Sequence, residues 1–294
     1  MTNSARLSGR PSSSAAYNVG DVVDTPDSAI KSWRYLGAGE WEPNDAVRYT
    51  TSPGGGNRLF AGGDVISKYQ DALRFAFPMR FESGSSPARD SSGRGTQLLV
   101  SDSAPWDTGW LKGASTQSRR ISADALGLDL ARDSFVFSFL YKAPAGLTAS
   151  ICGTNSFGTF SETMGYGFFL NINVDKVAAR IRCAEASTLS FNGLATVQDG
   201  VGHVIQVTWD SSKAEGTLYV DGVKDISGVA VEVDAAALVT VPLQLSGSGG
   251  NGNPAHRFAG VQLFVFEGTG LPSSADDLLI KLSSRPREIP VNFL

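Results

Sequence analysis

Apolar residues recur at every second position in several short stretches of this chain. Period two is the signature of a strand with one face turned to a core. The clearest case is His203 to Val223, HVIQVTWDSSKAEGTLYVDGV. Ile205, Val207 and Trp209 alternate with Val204, Gln206 and Thr208, and Leu218 and Val220 alternate with Thr217, Tyr219 and Asp221. Asp210-Ser211-Ser212-Lys213 breaks the first run, and Asp221-Gly222 opens a tight turn after the second. The pattern predicts a hairpin. Leu73, Phe75 and Phe77 alternate with Arg74 and Ala76, and Phe135, Phe137 and Phe139 alternate with Val136, Ser138 and Leu140. Each run predicts a strand, as do Leu98 to Ser101, VPLQLS and HRFAGVQLFVF. GFFLNINVDKVAARIRC predicts two more strands with a turn near Asp175-Lys176. A short helix is expected from Ala275 to Leu282, capped by Ser273-Ser274, with Asp276 and Asp277 suiting its dipole.

Turn and breaker residues divide the chain. Residues 1–16 are rich in Ser, Ala, Arg and Gly and poor in apolar residues, which predicts a flexible arm. Residues 17–60 hold an aromatic-rich patch with two strand patterns, one at Tyr17 to Val23 and one at Trp33 to Leu36, followed by Trp41. The cluster SPGGGN, Ser52 to Asn57, closes this small β unit. Residues 64–294 then form the main domain, with a polar loop at 82–95 and an extended C-terminal strap. The fold class expected is all-β.

Composition narrows the function. The chain has 294 residues, 41% hydrophobic and 18% charged, with 33 Gly and a net charge of −4. That describes a turn-rich globular protein. It has no long basic run for nucleic acid, no apolar run of membrane-span length, and no apolar h-region at its N-terminus. A signal peptide and a membrane span are therefore not expected. Glycoside cleavage needs an acid and a nucleophile or base facing one bond. The nearest candidates are Glu232 and Asp234, read as solvent-facing residues flanking a strand, so no catalytic residue is assigned and an enzyme is not expected. His203 and His256 are the only histidines, too few for a triad or a histidine-rich metal site. Cys152 and Cys183 are read as buried thiols, or as a disulfide if their strands are neighbours.

The stretch VTWD…GTLYVDG resembles the central hairpin of concanavalin A-like lectin domains, in their laminin-G-like branch. LGLDLARDSFVFSFLYKAP and the closing HRFAGVQLFVFEG with its helix are similar to other signatures of that family, in the same order, so the resemblance covers about 121–284. It implies an antiparallel jelly-roll β-sandwich. His203 falls where the family has a WHHVA motif, although the Trp of that motif is missing here. YNVGDVV…WRYLGAGEWEP resembles small β units near the N-termini of phage tail and head-fibre proteins, and loosely resembles small chitin-binding modules.

These resemblances imply a phage virion structural protein, a head or tail fibre or decoration protein. It would be made in the host cytoplasm and project a lectin-like sandwich from the particle. Such proteins are symmetric oligomers, often trimers, so a homotrimer is expected, with other virion proteins contacting the N-terminal region. Tyr17, Trp33, Tyr35 and Trp41 are the candidate anchoring residues, or else the core of their small unit. Host-surface glycans are the candidate ligands. Trp106 and Trp110 are candidate sugar contacts, or else fill a subunit interface, and Asn155, Phe157 and Phe160 are candidate sugar contacts whose rings otherwise pack in the core or at a subunit interface. Related lectins hold calcium at a loop edge, and Asp199 and Asp210 are the candidate Ca²⁺ ligands. No other cofactor is expected. The alternatives are a soluble carbohydrate-binding module without a virion role and, more remotely, a glycan-cleaving enzyme on the same fold.

Overall fold

The computed structural model describes residues 69–79, 88, 90–100, 105–107, 109–113, 119–147, 150–154, 165–245, 253–273 and 275–284, with the backbone of strands at 22–24, 32–37, 40–43, 49–51, 57–59 and 292–293. The chain divides into two compact units, Met1–Ser67 with Pro290–Leu294, and Lys68–Ile289. The expected arm at 1–16 and the side chains of Tyr17, Trp33, Tyr35 and Trp41 lie outside the described residues.

The first unit holds two small antiparallel sheets. Strands β1 (Val22–Asp24), β2 (Ser32–Gly37) and β3 (Glu40–Pro43) make one, with Tyr35 opposite Trp41. Strands β4 (Tyr49–Thr51) and β5 (Asn57–Leu59) make the other with the C-terminal β21 (Asn292–Phe293). The C-terminal segment therefore returns as a strand of this unit, with Phe293 opposite Asn57.

The second unit is an antiparallel β-sandwich. Its strands are β6 (Leu73–Phe77), β7 (Leu99–Val100), β8 (Trp106–Asp107), β9 (Trp110–Lys112), β10 (Arg119–Ile121), β11 (Ser134–Lys142) and β12 (Ser150–Gly153). They continue with β13 (Gly167–Asn173), β14 (Lys176–Arg182), β15 (Leu189–Thr196), β16 (Gly202–Asp210), β17 (Glu215–Val220), β18 (Val223–Val229), β19 (Leu243–Leu245) and β20 (Arg257–Phe266). One sheet runs β15-β14-β13-β12-β19-β10-β7, and the other β18-β17-β16-β11-β20-β9-β8 with β6 also on β20. The all-β sandwich read from the sequence is the fold observed. Helices α1 (Ala123–Leu126) and α2 (Ala275–Ser284) are the α-helical segments among the described residues.

The predicted hairpin is β16–β17, with Gln206 opposite Tyr219 and Trp209 opposite Gly216. Its inward set, Ile205, Val207, Trp209 and Leu218, is fully buried. Much of its outward set is buried too, at Val204, Gln206, Thr208 and Thr217. The reason is α2, which lies over this outer face. Leu278 and Leu282, one helical turn apart, are fully buried, and the Gln206 amide donates to the Leu279 carbonyl at 2.9 Å. Ser283 Oγ in turn donates to Gln206 Oε1 at 3.0 Å. A polar residue at that position is thus satisfied by backbone rather than by water.

Two local expectations change. The β13–β14 turn is centred on Val174 and Asp175, with φ of 49° and 62°, rather than on Asp175-Lys176. Cys152 on β12 and Cys183 just past β14 have β13 between their strands, so they are at least two strand spacings, roughly 10 Å, apart. That exceeds disulfide reach, and both are free buried thiols. Burial pushes the Cys152 thiol well up and Cys183 up to about 11.

The two sheets are joined at one side by a carboxylate. Asp225 on β18 accepts the backbone N–H groups of Leu194 and Ala195 on β15, at 2.8 and 3.0 Å. The β14–β15 register slips between Lys176 and Ala178, and this bulge turns those N–H groups away from β14. A Cβ on Gly193 would sit 2.4 Å from Asp225 Oδ2 and 2.8 Å from the Val177 carbonyl, so only glycine fits there.

Two stability outcomes are expected in chemical denaturation. Asp225→Ala strands two N–H groups at the junction and lowers stability by about 1–3 kcal/mol. Val174 is a β-branched residue in the left-handed region at a solvent-exposed tip. Val174→Asn should raise stability by up to about 1 kcal/mol, since Asn tolerates that backbone.

Candidate functional site

The site is built around β6. Arg74 alternates with the buried Leu73 and Phe75, so its side chain leaves on the face opposite the sandwich core. A loop at 90–97 folds back along this strand because one carboxylate gathers its backbone. Asp90 Oδ1 accepts the N–H groups of Ala76 and Ser92, both at 2.9 Å. Its Oδ2 accepts Ser92 Oγ at 2.7 Å and the Thr96 N–H at 2.8 Å. Gly93 and Gly95, with φ of 81° and 71°, make the turns this path requires. Arg94 lies back across the strand start, donating from Nε to the Leu73 carbonyl at 2.5 Å and from Nη2 to the Asp71 carbonyl at 2.7 Å.

Between this loop, α1 and the turn after β20 lies an open cleft of about 670 Å³, lined by Arg74, Arg94, Gln97, Ser122, Asp124 and Glu267 among others. Ser122 caps α1, accepting the Ala125 N–H at 3.3 Å, and Gly127 ends the helix in the left-handed conformation. Arg74 is mostly buried and pairs through Nη2 with Glu267, whose side chain is 70% exposed. Hydrogen bonding and charge from Arg74, with the charge of Arg94, hold the Glu267 carboxyl below its ordinary range. Arg74 Nε is buried and has no hydrogen-bond partner.

Of the residues expected to carry the site, those that are described fall elsewhere. Trp106 is 6% exposed and belongs to the core, which removes its ring faces from ligands. Trp110 is half-buried and packs beside Gly202 and Leu140, at the hairpin formed by β8 and β9. Asn155, Phe157 and Phe160 lie outside the described residues. Asp199 and Asp210 stand near opposite ends of β16, more than about 20 Å apart, so they do not share an ion. Asp210 is also spent on Ser212 and Lys213, with Nζ at 2.9 Å. Among the described residues, no group of three or more His, Cys, Asp or Glu side chains is placed to hold a metal ion.

Glu232 and Asp234 follow the end of β18 at Val229, in irregular chain rather than a strand. Asp234 Oδ2 accepts Tyr166 Oη at 2.7 Å and the Glu185 N–H at 2.9 Å. The bond to Asp234, with burial, pushes the Tyr166 hydroxyl up to about 12. The Asp234 carboxylate is thus a structural acceptor. Arg74, Arg94 and Glu267 were not singled out in the sequence. The alternation at Leu73–Phe77 places Arg74 on the outer face, but nothing local pairs it with a residue 193 positions away.

The two histidines sit in opposite environments. His203 lies between two carboxylates, with Nδ1 2.8 Å from Asp221 and Nε2 3.2 Å from Asp199. Burial disfavours its charged form, but the hydrogen bonds and charges of Asp221 and Asp199 outweigh that and raise its pKa. His256 is fully buried beside Tyr141 and Phe258, and both its ring nitrogens lack hydrogen-bond partners. Burial, with the charge of Arg257, lowers it to about 4.

No protein-family model matches the chain, and no curated protein matches its sequence. Solved structures do match in three dimensions. The binding domain of Paraclostridial Mosquitocidal Protein 1 is 16% identical with a TM-score of 0.50, over 73% of this chain and 52% of that one. A structure of botulinum neurotoxin type C, described as depending on interaction with two ganglioside molecules to enter cells, is 12% identical with a TM-score of 0.51, over 75% and 52%. The binding domain of botulinum neurotoxin DC, solved with rat synaptotagmin II, is 12% identical with a TM-score of 0.50, over 74% and 52%. The fold is that of toxin binding domains. The chain spans about half the length of each, and at these identities the likeness is one of fold.

The histidines make pH dependence a test of the structure. The His203 contribution is fully present below about pH 6.5 and fades as pH rises through its raised folded value. His256 works the other way. Its neutral form is the folded one, so stability falls as pH drops from about 6.5 toward 4, by on the order of 3 kcal/mol. Denaturation from pH 4 to 8 should show His256→Leu removing part of the acid-side decline and His203→Gln removing part of the alkaline-side one.

Proposed function

We propose that this chain is a recognition module of a phage virion that binds host-surface glycans through the cleft beside β6. The observation that carries the binding reading is the cleft itself. Its volume of about 670 Å³ suits a small saccharide, and its guanidinium, carboxylate, amide and hydroxyl groups are the planar and directional partners that sugars use. The toxin binding domains that share the fold, one of them linked to gangliosides, support the same class of role. Binding rather than cleavage is the reading we favour, because the Asp234 carboxylate is engaged by Tyr166 and Glu185.

The virion role rests on the N-terminal sequence. Residues 17–51 resemble fibre-protein anchoring units, and the chain divides into a small unit and a sandwich. In this reading the first unit contacts other virion proteins, the sandwich faces outward, and the protein is a homotrimer. Calcium is not required by the cleft.

Two measurements on the full-length protein test these parts separately. A glycan array should give saturable binding to at least one class of host-surface glycan, and silence from verified folded protein would overturn the binding role. Immunogold electron microscopy of particles from the source lysate should place label on head or tail. Label only on free protein, with the array positive, would instead identify a soluble carbohydrate-binding module.

A further inference from the structure

We infer that the cleft selects acidic saccharides, with Glu267 occupying the place that a ligand carboxylate takes on Arg74. This deepens the glycan-binding reading and rests on it.

Three observations carry the inference. First, the described lining of the cleft holds no aromatic ring, and Leu99 is its one large apolar side chain. Sugar-face stacking is therefore unavailable from these residues, and recognition falls to charge and hydrogen bonds. Second, Arg74 is largely buried at the cleft while its partner is not, since its side chain is 13% exposed and that of Glu267 is 70% exposed. Third, the pairing is incomplete. Glu267 meets Arg74 at Nη2 and leaves the buried Nε without an acceptor. A guanidinium offers parallel N–H donors that match the two oxygens of one carboxylate. A carboxylate that entered as Glu267 swung out would take both.

Arg94 supplies the second positive charge. Its Nε and Nη2 are fixed on the Leu73 and Asp71 carbonyls, so it acts at a set position. Gln97 and Ser122 line the same cleft and offer an amide and a hydroxyl to the sugar ring. Glu267 and Asp124 balance the two arginines while the cleft is empty of ligand. The internal carboxylate thus keeps a buried cation paired until an external one replaces it. Neutral saccharides gain nothing from that exchange.

The test measures binding of the full-length protein to sialylated and uronate-containing glycans, to the same glycans as carboxyl methyl esters, and to neutral counterparts. Three forms are compared: wild type, Glu267→Gln and Arg74→Gln, each with its melting temperature. The acidic glycans should bind and their esters should not. Glu267→Gln should tighten binding about two- to fivefold, since an exposed ion pair competes only weakly. Arg74→Gln should weaken it by about tenfold or more. Wild-type affinity should fall as salt rises. Equal binding of acids and esters, or of neutral glycans alone, would overturn the acidic selection and keep the glycan role. Acid binding that Glu267→Gln leaves unchanged or weakens would overturn the exchange, even if Arg74→Gln fails to fold. No binding of any glycan would remove both readings.

Discussion

Strand β11 is the constraint on which the sandwich depends. It is paired on both sides, with Phe137 opposite Val207 on β16 and Leu263 on β20. Its inward positions are Phe135, Phe137, Phe139 and Tyr141, all fully buried. Phe168 reaches across from the other sheet to lie 5.1 Å from Phe135 and 5.2 Å from Phe137, ring centre to ring centre. Such aromatic pairs add about 0.5–1.5 kcal/mol each beyond the area they bury. A slip of one residue would turn the whole row outward, so the register of one strand fixes those of both its neighbours. The opposite face of β11 is also buried, at Val136 and Ser138, and this is why the sheet needs α2 laid across it.

A second principle runs through the loops. Several of the described aspartates serve as backbone acceptors. Asp90 gathers the 90–97 loop, Asp225 joins β18 to β15, and Asp221 accepts the Val204 N–H at 2.8 Å. Asp129 Oδ1 accepts the N–H groups of Ala131 and Ala237, both at 3.0 Å, and so ties chain segments 108 residues apart. Charge-assisted bonds of this kind are short and strong, and they satisfy donors that irregular chain leaves free. Glu267 in the cleft instead pairs with a side chain, Arg74, and stays exposed.

This explains what the sequence could and could not show. Period-two alternation found β6, β11, β16 and β17, because a strand with one core face writes that pattern directly, and the family resemblance supplied β20. It gave no account of why Gln206 and Thr208 are buried, since the covering helix lies about 70 residues downstream. As an aromatic, Trp106 is a candidate sugar contact by residue type alone. The structure puts it in the core because β8 is an edge strand folded back on β9. The cleft was illegible for a different reason. It joins Arg74, the polar 90–97 loop, a one-turn helix and a turn beyond β20, and only the sheet pairing of β6 with β20 brings them together.

The location of the cleft follows from the same division of labour. The core is locked by β11 and its aromatic row, where volume and register leave little freedom. The cleft lies on the flank of that core, at the outer face of β6 and the loop that Asp90 holds against it. Side chains there can change charge or length without touching Phe135, Phe137 or Phe168. A sandwich of this design can therefore keep its fold while its binding surface drifts. Arg74 belongs to both parts. Its backbone is in β6, whose Leu73, Phe75 and Phe77 are fully buried, and its guanidinium is in the cleft, so a strand packed into the core positions a cleft side chain.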